Sequence, residues 1–133
     1  MNFKPLVLVE DVKMCAKLLA KSLNDCNVDA DCVYDGIEAL DAIKGNKSKY
    51  SMVFTDIRMS VMGGRELIEN LRLLGYKEPM IAITSDTLSD DRQEIVHKGA
   101  DEVLCKPVKL QILRQVLIRH KIIDYTAECH TKI

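Results

Sequence analysis

Short runs of aliphatic residues recur along the whole chain. Leu6–Val9 is a continuous aliphatic run, which is typical of a strand covered on both faces. Four further strand-like runs lie at 28–34, 52–54, 80–83 and 103–104. In the second run apolar and polar residues alternate, as expected of a strand at the edge of a sheet, whereas the others are mostly continuous. The pattern predicts five strands.

Each strand-like run is followed by a segment whose apolar residues recur at helical spacing. The stripe of the first such segment consists of Val12, Cys15, Leu19 and Leu23. We expect Asp11 to cap this helix, and we expect the fourth helix to begin at Ser89-Asp90-Asp91. The stripe of the second helix consists of Ile37, Leu40 and Ile43. The chain is therefore predicted to contain five strand–helix units.

Strands that alternate with helices favour a parallel sheet, because right-handed crossovers place helices on both of its faces. In such sheets ligands bind at the carboxyl ends of the strands. We expect one domain over residues 1–123, followed by a short polar tail at 124–133.

Composition narrows the class of protein. The chain has 133 residues, 47% hydrophobic and 29% charged, which are the proportions of an ordinary globular domain. Its net charge of −1 favours no bulk attraction to nucleic acid, and no apolar run is long enough to span a bilayer. Five cysteines without a CxxC pair predict reduced thiols. We therefore expect a cytoplasmic protein with neither nucleic-acid nor membrane partners.

Five chemically active residues follow the strand-like runs. They are Glu10, Asp11, Asp56, Thr84 and Lys106. Because the carboxyl ends of parallel strands share one edge of the sheet, we expect these side chains to meet. Three carboxylates that lie close together repel one another unless they bind a cation, and oxygen ligands of this kind suit Mg²⁺.

The same group of residues is suited to phosphoryl chemistry. A carboxylate at Asp56 can act as a nucleophile and form a mixed anhydride with a phosphoryl group. Lys106 and the Thr84 hydroxyl would neutralise and bind the phosphoryl oxygens. Pro107 stiffens the loop behind the lysine, and we expect its peptide bond to be cis.

Four sequence motifs in this order resemble the receiver domain of two-component response regulators, over essentially the whole chain. The motifs are VLVED, VFTDIRM, IAITS and GADEVLCKPV. The resemblance implies a flavodoxin-like, five-stranded sheet in the order 2-1-3-4-5 with five helices. It also implies a signalling domain that catalyses only its own phosphorylation and dephosphorylation.

The resemblance assigns roles to individual residues. Asp56 would be the phosphoacceptor, and Thr84 and Lys106 would stabilise the phosphoryl group. Mg²⁺, for which Mn²⁺ can substitute, would be held by Glu10, Asp11, Asp56 and the backbone carbonyl of Arg58. The phosphoryl donor would be a sensor histidine kinase or a histidine phosphotransfer protein, and a weak homodimer is possible. The signal would pass through the segments that follow the fourth and fifth strands.

Several positions depart from the usual receiver pattern. Glu10 stands where receivers usually carry an aspartate. The loop at 59–64 lacks the usual proline and aspartate, so we expect it to be looser. Val103 replaces the aromatic residue that many receivers place before the lysine, which excludes a rotating-ring switch. We predict that Arg58 and Asp86 flank the phosphoryl group and slow its hydrolysis.

Other interpretations remain to be tested. A pseudo-receiver would bind a partner without phosphorylation, but it usually lacks the acceptor, the acidic pair or the lysine. An aspartate-nucleophile phosphohydrolase needs a second aspartate where this chain has Arg58. We expect Met14, Cys15 and Leu18 of the first helix to belong to the core; the alternative is that they bind a donor helix. The sequence is compatible with a stand-alone receiver and with part of a hybrid kinase.

Overall fold

A computed structural model describes residues 4–85 and 91–124 of the chain. Five strands and five helices alternate along these residues. They are β1 (Leu6–Val9), α1 (Lys13–Asp25), β2 (Ala30–Val33), α2 (Gly36–Gly45), β3 (Val53–Asp56), α3 (Gly64–Leu73), β4 (Met80–Thr84), α4 (Arg92–Lys98), β5 (Glu102–Cys105) and α5 (Leu110–Arg119). The strands form one parallel sheet in the order β2-β1-β3-β4-β5. The predicted fold is confirmed.

Alternate residues of each central strand enter two separate hydrophobic cores. In β1, Val7 and Val9 pack with α2, α3 and α4, whereas Leu6 and Leu8 pack with α1 and α5. All four side chains are almost completely buried. Burial on both faces explains why the strands appear as continuous aliphatic runs in the sequence. Helices therefore cover both sides of the sheet, and the strand ends remain available for a site.

The start of α1 differs from the sequence-based expectation, whereas the start of α4 agrees with it at Asp91. The N-cap of α1 is Val12 and makes no side-chain capping bond, so the prediction that Asp11 caps this helix is wrong. Asp91 is the N-cap of α4, and its carboxylate accepts hydrogen bonds from the backbone of Gln93 and Glu94. Ser89 and Asp90 lie outside the described residues.

The apolar stripes of α1 and α2 are rotated relative to the predicted ones. In α1 the buried residues are Ala16 and Leu23, whereas Cys15 is exposed. In α2, Ala39 is completely buried and Ile37 is 45% exposed. Small alanines face the sheet because they let each helix approach it closely, which leaves larger apolar side chains at the edge of the contact.

The cysteines do not all conform to the prediction of reduced thiols. Cys26 is buried and disulfide-bonded, so the prediction is wrong for this residue. Free thiols are present at Cys15, Cys32 and Cys105. Cys129 lies outside the described residues. None of the helices within 4–85 and 91–124 combines the length and the apolar character needed to cross a bilayer.

Candidate functional site

The carboxyl ends of four neighbouring strands bring the predicted site residues to one edge of the sheet. Strand β1 leads into Glu10, and β3 ends at Asp56. Strand β4 ends at Thr84, which is level with Cys105 of β5, one residue before Lys106. The backbone N–H of Lys106 donates to the carbonyl of Thr84 at 2.8 Å. The sheet order therefore places all four side-chain positions next to one another.

Three carboxylates form a tight cluster at this edge. Oxygen atoms of Glu10, Asp11 and Asp56 all lie within 4.8 Å of one another. Glu10 and Asp56 are only 5% and 7% exposed, whereas Asp11 is half-buried. Like charges at this spacing are costly when they are partly withdrawn from water. The cluster therefore needs a positive charge.

Lys106 supplies a positive charge within the described part of the protein. Its Nζ donates to Oδ2 of Asp56 at 3.1 Å and to Oε2 of Glu10 at 3.2 Å. The backbone N–H of Ile57 donates to the other oxygen, Oδ1, of Asp56 at 3.0 Å. Both oxygens of Asp56 are therefore held in place. The contribution of the Ile57 backbone was not predicted, because sequence patterns do not identify main-chain donors.

The electrostatics of the cluster change the ionisation of two groups. Burial, followed by the hydrogen bond and the charge of Asp56, raises the pKa of Glu10 to about 7, although Lys106 acts in the opposite direction. Burial alone would lower the pKa of Lys106, but hydrogen bonds and charge interactions with Asp56 and Glu10 outweigh it and raise the pKa above its ordinary value. Lys106 therefore stays charged while Glu10 can bind a proton near neutral pH.

The remaining predicted site residues occupy different environments. Thr84 is buried at the end of β4, and Val103 is buried within β5. Arg58 is exposed in the loop that follows Asp56. The peptide bond between Lys106 and Pro107 is cis, as predicted. Asp86 lies outside the described residues.

The loop after Asp56 is fastened at its far end by Gly64. The backbone N–H of Gly64 donates to the carbonyl of Ile57 at 2.8 Å. A β-carbon at Gly64 would lie only 2.3 Å from the carbonyl oxygen of Asp56. Glycine is therefore required for the start of α3 to approach the backbone of Asp56. The sequence predicts only that this loop is looser than usual, because close approach of the backbone is visible only in three dimensions.

An apolar groove of about 440 Å³ lies beside the carboxylate cluster. Glu10 and Lys106 line one end of it, and Leu18, Leu19 and Pro107 contribute to its apolar wall. Met14 and Leu18 are 72% and 63% exposed, and Cys15 is also exposed. The expectation that these three side chains belong to the core is therefore wrong.

The cluster fits a hard divalent cation. Its oxygen donors come from carboxylates, which are the ligands that Mg²⁺ prefers, and only a few protein ligands converge. Burial, together with the hydrogen bond and the charge of Asp56, raises the pKa of Glu10, and a cation bound at the cluster would oppose this effect. Among the residues that the structure describes, Glu10, Asp11 and Asp56 are the group of metal-binding side chains that lie close enough to share one ion.

Comparison with known proteins gives a consistent result. A family profile described as "Response regulator receiver domain" matches residues 6–118. The chain is 34% identical over 118 residues to "Transcription factor SKN7" of Chaetomium thermophilum, and 30% identical over 112 residues to "Sensor histidine kinase RcsC" of Salmonella typhimurium. These matches cover 88% and 84% of the chain. The chain spans only 15% and 12% of the length of these two relatives.

A solved structure resembles the whole described fold. It is the receiver domain of sensor histidine kinase PA1611 from Pseudomonas aeruginosa, described as having a magnesium ion coordinated in its active site cleft. The TM-score is 0.80 at 26% sequence identity, and the match covers 90% of this chain and 98% of that one.

Proposed function

Because the chain belongs to the response regulator receiver family, we propose that it accepts a phosphoryl group on Asp56 from a phosphohistidine donor. The observation that carries this proposal is the pairing of Lys106 Nζ with Asp56 at 3.1 Å, inside a cluster of three carboxylates. A lysine is a suitable partner because its compact charge can follow an oxygen from the carboxylate to an incoming phosphoryl group.

Glu10, Asp11, Asp56 and the backbone carbonyl of Arg58 are proposed to hold Mg²⁺, for which Mn²⁺ would substitute. When bound, the ion would neutralise phosphoryl oxygens and the carboxylate cluster. The half-buried Asp11 is accessible to an ion from solvent, whereas Glu10 and Asp56 approach it from the sheet edge. Glu10 must lose any bound proton before it can act as a ligand.

In the proposed reaction, Oδ2 of Asp56 attacks phosphorus. The bond between phosphorus and the imidazole nitrogen of the donor breaks, and its electron pair remains on the imidazole. The product on this chain is an aspartyl phosphate, a mixed anhydride. Lys106 moves with the charge from the carboxylate to a phosphoryl oxygen, and the Thr84 hydroxyl binds another. The Ile57 N–H keeps Oδ1 in place and so orients the nucleophile.

The proposed donor is a sensor histidine kinase or a histidine phosphotransfer protein. The exposed apolar side chain of Leu18 lines the groove beside Lys106, and Met14 is an exposed apolar residue of the same helix. An apolar helix face placed there would bring a phosphohistidine to the site. Because Val103 has no ring to rotate, we propose that the signal leaves through backbone movement in the segments after β4 and β5. We further propose a cytoplasmic location and no nucleic-acid or membrane partner; the proposal is supported by membership of the receiver family and not by the cysteines, since Cys26 is disulfide-bonded.

Incubation with acetyl phosphate and Mg²⁺, followed by intact-mass measurement, tests the proposal. We expect one phosphoryl adduct on the natural chain and none on Asp56→Asn. Asp41→Asn, which changes an exposed aspartate of α2, is the matched control and should retain the adduct. Absence of an adduct on the natural chain would favour a pseudo-receiver. Rapid turnover of many equivalents of acetyl phosphate would favour a phosphohydrolase.

A further inference from the structure

The first turn of α2 touches the backbone of the loop that follows Asp56. A β-carbon built on Gly36 would lie 2.7 Å from the carbonyl oxygen of Met62 and 2.8 Å from its Cβ. Both distances are shorter than any relaxed contact of a carbon atom. Gly36 is buried and is the first residue of α2. Glycine therefore lets the helix pack directly on the backbone of Met62.

Helix α2 is the firmer of the two partners in this contact. Its N-cap Asp35 accepts a hydrogen bond from the backbone N–H of Glu38 at 2.8 Å. Ala39 and Ile43 anchor the helix in the core and are completely buried. On the loop side, Met62 is only partly buried. A clash between α2 and the loop would therefore be relieved mainly by movement of the loop.

The loop transmits such a movement to the site because it is short and closed at both ends. It starts at Ile57, directly after Asp56, and its far end is tied back to Ile57 by the backbone N–H of Gly64. Met59 and Met62 pack against the core that α2, α3 and α4 share. Arg58 lies inside this closed loop. Displacement of Met62 must therefore alter the backbone around Arg58.

We propose that Gly36 is a positioning residue for metal binding. It acts through Met62 and fixes the loop so that the backbone carbonyl of Arg58 is held towards the carboxylate cluster. This inference rests on the proposed function, in which that carbonyl is a metal ligand. It also explains how a loop without the usual proline and aspartate keeps a defined shape: α2 supplies the restraint that these residues supply elsewhere.

Isothermal titration of the complete chain with Mg²⁺ tests the inference. Gly36→Ala should bind Mg²⁺ about tenfold more weakly, which is the effect expected when a group behind a metal ligand is disturbed. Gly45→Ala is the matched control, because it lies in the same helix and its added β-carbon would meet nothing within 4 Å. That variant should bind Mg²⁺ as the natural chain does.

Thermal unfolding in the presence of a chelator separates positioning from general stability. If Gly36 contributes to stability alone, Gly36→Ala lowers the unfolding temperature but binds Mg²⁺ as the natural chain does at temperatures where both are folded. That result overturns the inference. If Gly36→Ala does not fold, Met62→Gly decides, because it removes the β-carbon that lies against Gly36: weaker Mg²⁺ binding supports the inference, and unchanged binding overturns it. If the natural chain binds no Mg²⁺, the metal site of the proposed function fails and the inference fails with it.

Discussion

The raised pKa of Glu10 predicts that the metal-free protein becomes less stable as the pH rises towards neutrality. The pKa is about 7 in the folded protein, compared with an ordinary value of 4.5. Between these two values the folded chain binds a proton that the unfolded chain has released, so the free energy of unfolding falls with rising pH. Above about pH 7 the folded and the unfolded chain have both released this proton, and the loss of stability no longer changes with pH.

The size of this effect follows from the pKa difference. The two pKa values differ by about 2.5 pH units, and at about 1.4 kcal/mol for each pH unit the folded protein loses about 3–4 kcal/mol at most by pH 8. Glu10→Gln removes the ionisable group and with it this pH dependence. We therefore expect the variant to match the natural chain near pH 4.5 and to be more stable by about 1–3 kcal/mol at pH 8 without metal.

Urea unfolding followed by circular dichroism, with a chelator present, measures this difference, since the chain has no tryptophan to report on unfolding. Glu66→Gln, which removes an exposed carboxylate from the first turn of α3, is the matched control and should change stability little at either pH. Added Mg²⁺ should stabilise the natural chain more than Glu10→Gln. Equal stability of the natural chain and Glu10→Gln at pH 8 would refute this account of the cluster.

Three further predictions concern the rest of the molecule. Arg72 donates hydrogen bonds to the carbonyls of Gly99, Tyr76 and Glu78, so Arg72→Ala should lower the free energy of unfolding, measured in urea, by about 3 kcal/mol. Arg92 is exposed, and Arg92→Ala should leave the free energy of unfolding unchanged. Equal losses in the two variants would contradict a structural role for the hydrogen bonds of Arg72. Leu18→Glu should slow phosphotransfer from a protein donor about tenfold and leave the rate of phosphorylation by acetyl phosphate unchanged. Leu73→Glu, on a leucine of α3 that is even more exposed, should change neither rate. An effect of Leu18→Glu on both reactions would argue against a docking role. Arg58→Ala/Asp86→Ala should lose its phosphoryl group faster than the natural chain, and equal half-lives would remove these residues from the account.

The strands and the site at their ends could be predicted from the sequence because both depend on local patterns. A run such as Leu6–Val9 must be covered on both faces, and this already implies helices on both sides of a parallel sheet. The ends of such strands must then adjoin, so Asp56 and Lys106 meet although fifty positions separate them. The cis bond before Pro107 was also predicted.

Features that depend on close packing could not be predicted in this way. The periodicity of apolar residues gave large side chains the most weight, and it therefore selected Cys15, whereas the smaller Ala16 faces the sheet. The close approach of Gly64 to the backbone of Asp56 was not predicted either. At both positions a small side chain lets two parts of the backbone pack closely together. A sequence pattern does not show which neighbouring residues occupy the space that a larger side chain would fill.

In the proposed reaction the phosphoryl group is carried by Asp56 and by no other carboxylate of the cluster. Borohydride reduction of the phosphorylated chain converts an aspartyl phosphate to homoserine, and peptide mass mapping then locates it. We expect homoserine at position 56 alone, and only when Mg²⁺ was present during phosphorylation. Homoserine at position 11, its five-carbon counterpart at position 10, or labelling at 56 without any divalent cation would contradict it.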